Sequence, residues 1–133
     1  MTEEKIKDYA TTYLGQPVSG PIDAVECVPW SGSDVTVTLD CAEFTTICPV
    51  TGQPDFGRLR ITYRPADKLI ETKSLKLFLQ GYRDKKAFNE AIVDELADKL
   101  FAQAAPAWLT VEGFYNARGG SSVTCRAHRG GSD

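Results

Sequence analysis

The chain has 133 residues, of which 42% are hydrophobic and 25% charged, and its net charge is −3. That length and ordinary composition predict one globular domain spanning 1–133, with a core of its own. Basic and acidic residues are mixed along the chain, with no Lys/Arg stripe or basic tail, so no direct nucleic-acid partner is expected. No apolar run approaches the ~18 residues of a membrane span. The polar opening, Met1 to Asp8, lacks the apolar core of a signal peptide. A cytoplasmic protein with reduced thiols is expected.

Residues 1–22 read as an irregular arm, because Gly15, Pro17, Gly20 and Pro21 punctuate it. Residues 23–29 form a short edge strand and 29–34 a turn. Val35 to Leu39 alternates with period two, the pattern of a half-buried strand. The segment around Cys48 reads as a loop, since Pro49, Gly52 and Pro54 disfavour regular structure. Arg58 to Arg64 alternates charged and apolar residues and predicts a second strand. Residues 68–71 form a short extended piece.

From Ser74 the apolar period becomes helical. Leu75, Phe78, Leu79 and Tyr82 define one helix with Ser74 as its cap. Gly81 breaks it, and Asp84 is expected to cap a second helix over 85–103. On that helix Phe88, Ile92, Leu96 and Leu100 repeat every fourth residue and make one apolar face. Pro106 ends it. Two more strands follow, at 108–115 and 122–127, joined by the Arg118-Gly119-Gly120 turn; residues 129–133 read as a frayed tail.

The order strand, strand, helix, helix, strand, strand predicts an α+β fold: an antiparallel four-stranded sheet with two helices on one face. Such a sheet has two open edges that must be covered. Subunits joined edge to edge in a ring would cover them, so a homo-oligomer is expected.

Cys27, Cys41, Cys48 and Cys125 form no CxxC pair, which argues against a structural zinc site. The simple reading of Cys27, Cys41 and Cys125 is a small buried hydrophobe. Cys48 differs. It opens a stiff loop rich in proline and glycine, and Asp55 follows seven residues later. We read Cys48 as a nucleophile and Asp55 as its proton-handling partner.

Four other places bear on chemistry. At Glu71-Thr-Lys73-Ser74-Leu-Lys76 a strand runs into a helix; the two lysines and free helix N–H groups suit a phosphate, and a solvated first turn is the alternative. Glu90 lies about 200° from Phe88 on a wheel of about 100° per residue, off the apolar stripe. It is either a solvent-facing acid or a carboxylate that accepts two hydrogen bonds from a purine-like ring edge. Phe88 is either core or a stacking ring. Arg118 either opens a hairpin turn or is aimed at a phosphate.

Residues 39–80 resemble the 7-cyano-7-deazaguanine reductases of queuosine biosynthesis, in their short single-module form. Phe44-Thr-Thr-Ile-Cys48-Pro-Val-Thr-Gly-Gln-Pro-Asp55-Phe56 is similar to that family's active-site loop, and Glu71-Thr-Lys-Ser-Leu-Lys-Leu-Phe78 to its NADPH-associated motif. Glu112-Gly-Phe-Tyr-Asn-Ala-Arg118-Gly-Gly matches in style. The resemblance implies a tunnelling fold shared with GTP cyclohydrolase I and a ring of subunits with active sites between them. It implies that Cys48 attacks the nitrile to give a thioimide, with Asp55 as general acid/base. Glu90 would anchor the substrate, 7-cyano-7-deazaguanine, and Phe88 would stack on it. Glu71, Lys73, Ser74, Lys76 and Arg118 would serve NADPH, two of which are consumed, and no metal is required. Asn89 stands where many relatives carry histidine. A GTP cyclohydrolase I relative and a purine- or pterin-binding ring protein are the alternatives; the first needs zinc held by cysteines and a histidine, and no histidine lies near Cys48.

Overall fold

The computed structural model describes residues 20–132. The expected arm at 1–22 lies, up to residue 19, outside the described residues. The elements in order are β1 (Cys27–Pro29), β2 (Val37–Ile47), β3 (Pro54–Arg64), β4 (Lys68–Ile70), α1 (Thr72–Gln80), α2 (Asn89–Ala104), β5 (Trp108–Arg118) and β6 (Ser121–Gly130). The four long strands form an antiparallel sheet in the order β2-β3-β5-β6, and β1 pairs with β4 in a separate ribbon. The expected α+β layer is the one observed.

Alternation along the strands builds the core. Leu59, Ile61 and Tyr63 on β3 and Leu109 and Val111 on β5 point to one face and are almost wholly buried. Against them pack Ile92, Val93, Leu96, Ala97 and Leu100 of α2 and Leu75, Phe78 and Leu79 of α1. Tyr63 adds a polar contact, its hydroxyl oxygen accepting from the Ile70 N–H at 2.9 Å. That bond ties the β1-β4 ribbon to the sheet.

Several boundaries differ from expectation. The strand expected to end at Leu39 runs on to Ile47, as β2 continues past a bulge between Cys41 and Phe44. Pro54 begins β3 at a first-residue position, where a missing N–H is tolerated. The true loop is therefore only residues 48–53. The second helix starts at Asn89, not 85, and Asp84 caps nothing; Phe88 holds the N-cap position with no side-chain hydrogen bond. The cause is long-range. Ile47 N donates to Lys85 O at 2.9 Å and Ala87 N donates to Ile47 O at 3.3 Å, so residues 85–87 lie strand-like against β2.

The first helix begins two residues before Ser74. Its cap is Glu71, whose carboxylate accepts from Lys73 N and Ser74 N, both at 2.7 Å. At the other end of the chain, Arg129 is not frayed. It lies in β6 and bonds Asp94 at 2.5 Å and Asp98 at 2.7 Å, both on α2.

Candidate active site around Cys48

The loop that carries Cys48 is a closed turn. Cys48 N donates to Gln53 O, and Gly52 N donates back to Cys48 O, both at 2.9 Å. Gly52 sits at φ +72°, a conformation that a side chain would strain. This winding turns N–H groups inward onto the sulfur. The Thr51 hydroxyl, the N–H groups of Thr51 and Val50, and then the Arg118 guanidinium donate to Cys48 and lower its thiol to about 7. The thiolate is thus a major form near neutral pH, and the side chain is only half-buried. Asp55, the sequence's candidate partner, is not among these causes. Thr51, to which no role was assigned, supplies the largest one; its place three residues after the cysteine was the available signal.

Asp55 is the second residue of β3 and is directly opposite Thr46 in register. It is buried to 7% exposure. Arg118 Nη1 donates to Asp55 Oδ1, and Nη2 donates to Gln53 Oε1 at 3.1 Å. Arg118 therefore reaches the sulfur, the acid and the Gln53 side chain together. It ends β5, just before Gly119 and Gly120, which take φ +59° and +85° to reverse the chain.

Phe88 and Glu90 join this end of the sheet through the Ile47 bonds to residues 85–87. Phe88 is 60% exposed, so it is not a core residue. Glu90 is exposed in the first turn of α2. It lies within electrostatic reach of Tyr115 and Cys125, whose protons its charge helps to hold.

The Glu71–Lys76 segment is separate from this cluster. A cavity of about 660 Å³ between β2 and α1 is lined by Thr72, Lys76, Gln80 and Arg83 opposite residues 38–45 of β2. Cys48, Asp55, Phe88, Glu90 and Arg118 do not line it. The helix N–H groups expected to receive an anion are already taken by Glu71, which corrects that reading. Ser74 is fully buried, its hydroxyl donating to Glu71 O and accepting from Glu26 N, both at 2.8 Å. Cations on the cavity wall, Lys76 and Arg83, are what remains there for a phosphate.

A family model for QueF-like proteins matches residues 54–132. Its match covers more than half of the chain. This chain belongs to the QueF-like family. Among its relatives, the NADPH-dependent 7-cyano-7-deazaguanine reductase of Anaeromyxobacter dehalogenans (strain 2CP-C) is 42% identical, over 77% of this chain and 84% of that protein. The reductase of the same name from Frankia casuarinae (strain DSM 45818 / CECT 9043 / HFP020203 / CcI3) is 43% identical, over 86% of this chain and 91% of its own length. The crystal structure of the archaeosine synthase QueF-Like in the apo form superposes with a TM-score of 0.70 at 22% identity, covering 77% of this chain and 100% of that one. It shares the fold. Among QueF-like chains, this one thus carries the tunnelling fold that its sequence implied. Its described residues hold no group of three or more potential metal ligands.

Proposed function

We propose that the protein carries out its relatives' reaction, the NADPH-dependent reduction of the nitrile of 7-cyano-7-deazaguanine to an aminomethyl group, with Cys48 as nucleophile. The observation that carries this is the loop: a half-exposed cysteine whose sulfur faces the Thr51 hydroxyl and two backbone N–H groups. A nitrile is a poor hydride acceptor. When the Cys48 thiolate adds to its carbon, a C–S bond forms, one C–N π bond opens, and the nitrogen takes a proton. In this step Asp55 takes the proton of the Cys48 thiol as the thiolate forms and passes it to that nitrogen. Arg118 is the partner of the carboxylate left behind, so the transfer leaves no buried unpaired charge. Glu90 anchors the edge of the heterocycle and exposed Phe88 stacks on its face.

The chain's residues fit NADPH in part. Lys76 and, beside it, Lys73 supply cationic side chains for a phosphate, while Glu71 and Ser74 fix the start of the helix that carries them. NADPH, when bound, supplies the hydrides. The cavity beside Lys76 and the cluster around Cys48 are distinct in one chain, and β2 and β6 leave open edges. This supports a homo-oligomer whose sites lie between subunits, Lys76 of one chain serving Cys48 of the next.

Intact mass tests the central step. Mixed with 7-cyano-7-deazaguanine and no NADPH, the protein is expected to gain the mass of one whole substrate, and Cys48→Ala to gain none. Binding without any mass gain would leave a purine-binding protein instead.

A further inference from the structure

Tyr115 lies on the helix-facing side of β5, opposite Gly57 on one neighbour strand and Val123 on the other. Only 5% of it is exposed, yet its hydroxyl has no hydrogen-bond partner. A buried hydroxyl left unpaired is destabilising, so its retention calls for a partner that arrives later.

The ring cannot shift freely. A Cβ on Gly113 would meet Tyr115 Cε2 at 2.9 Å and Val93 Cγ2 at 2.8 Å, and one on Gly57 would meet Tyr115 Cδ1 at 3.0 Å. Two glycines thus form the floor on which the ring lies, with α2 as its lid. Val93 of α2 and the hydroxyl end of the ring both crowd Gly113, which sets that end of the ring beside α2. The first turn of α2 carries Glu90, whose charge, with those of Cys125 and Asp55, adds to burial in holding the Tyr115 proton. Tyr115 is therefore a neutral donor at any ordinary pH. Glu90 itself is exposed in that turn.

We infer that Tyr115 is a positioning residue for Glu90: when the heterocycle engages the carboxylate, the fixed Tyr115 hydroxyl donates to it and sets its direction. The inference rests on the reading of Glu90 as the substrate anchor. A carboxylate has room for about four hydrogen bonds. Two serve the ring edge, and a third from the protein side removes the freedom of an exposed side chain. The Tyr115 hydroxyl would gain in the complex the partner that it lacks in the free protein.

The test is Tyr115→Phe, which keeps the ring and deletes one oxygen. The expected result is a KM for 7-cyano-7-deazaguanine raised about tenfold, as the loss of one hydrogen bond to a charged group gives, with kcat little changed. The melting temperature of the free protein should hold or rise, because an unpaired buried hydroxyl is removed. In a Glu90→Gln background the same change should cost much less, since the two act through one bond. Unchanged KM in Tyr115→Phe, or a full tenfold loss on top of Glu90→Gln, would overturn the inference, as would a lower melting temperature with KM intact. Failure of the underlying reading looks different: Glu90→Gln alone would then leave the KM for 7-cyano-7-deazaguanine unchanged.

Discussion

The Arg118 guanidinium reaches from the end of β5 to the Asp55 carboxylate at the start of β3, and its second nitrogen holds Gln53 at 3.1 Å. One side chain thus fastens the hairpin of residues 119–120 to the hairpin that carries Cys48. A planar guanidinium can serve two acceptors in fixed directions, and an ammonium cannot. Arg118→Lys is therefore expected to behave nearly as Arg118→Ala. Both should lower kcat/KM at least about tenfold, the effect of losing a charge-assisted hydrogen bond at a reacting group. Steady-state kinetics on the two variants would check this; a lysine variant close to the parent would refute the directional role.

Cys48 should alkylate with a pH profile set by its lowered thiol. Below a midpoint near 7 the sulfur is protonated and slow; above it the rate reaches a plateau. Thr51→Val removes the largest stabiliser of the thiolate, so the midpoint should move upward, toward the ordinary ~8.5 of a free cysteine. Iodoacetamide labelling followed by mass spectrometry between pH 5 and 10 reads both curves. An unmoved midpoint would remove Thr51 from the account.

Glu71 caps α1 with two bonds of 2.7 Å. Glu71→Ala should cost about 1–2 kcal/mol, the upper range for a lost cap, and its melting temperature should fall accordingly. Lys76→Ala, whose side chain is exposed, should leave stability within about 0.5 kcal/mol and instead raise the KM for NADPH. Thermal melts and kinetics on the pair separate the helix start from the cofactor contact. If Glu71→Ala melted like the parent, the cap would be an incidental contact.

The proposed sharing of sites between subunits predicts complementation. Cys48→Ala and Lys76→Ala chains, each of low activity, should recover part of it when refolded together, because some mixed interfaces bring an intact Cys48 to an intact Lys76. Equal activity before and after mixing would place each site within one chain.

Much of this arrangement was legible in the residues. Period-two alternation at 58–64 and the apolar repeat from Ile92 to Leu100 mark elements that are present, while Phe88, expected on the same face, is exposed ahead of the helix. The loop at Cys48 was legible because proline and glycine act within a few residues. The errors came where distant segments decide. Nothing local in Lys85-Lys86-Ala87 reveals that Ile47 will claim its backbone, so the helix was expected to start too early. Glu71 was overlooked as a cap because Ser74, three residues on, is the better cap former by type; burial of the serine settles the matter. Arg129 looked frayed because its partners, Asp94 and Asp98, lie a whole helix away in sequence. The cluster around Cys48 shares this character: Thr51 acts over three residues, Arg118 over sixty-three.

That difference in range has a bearing on ageing of the protein. The groups that sharpen the thiol lie mostly inside one six-residue turn, whereas the partner of Asp55 arrives from the last hairpin. A molecule whose β5-β6 end has come loose keeps an avid sulfur and loses control of the proton beside it. Oxidants would find that sulfur while the rest of the sheet still stands. Chemical wear should begin at Cys48, in molecules that still look native by their secondary structure.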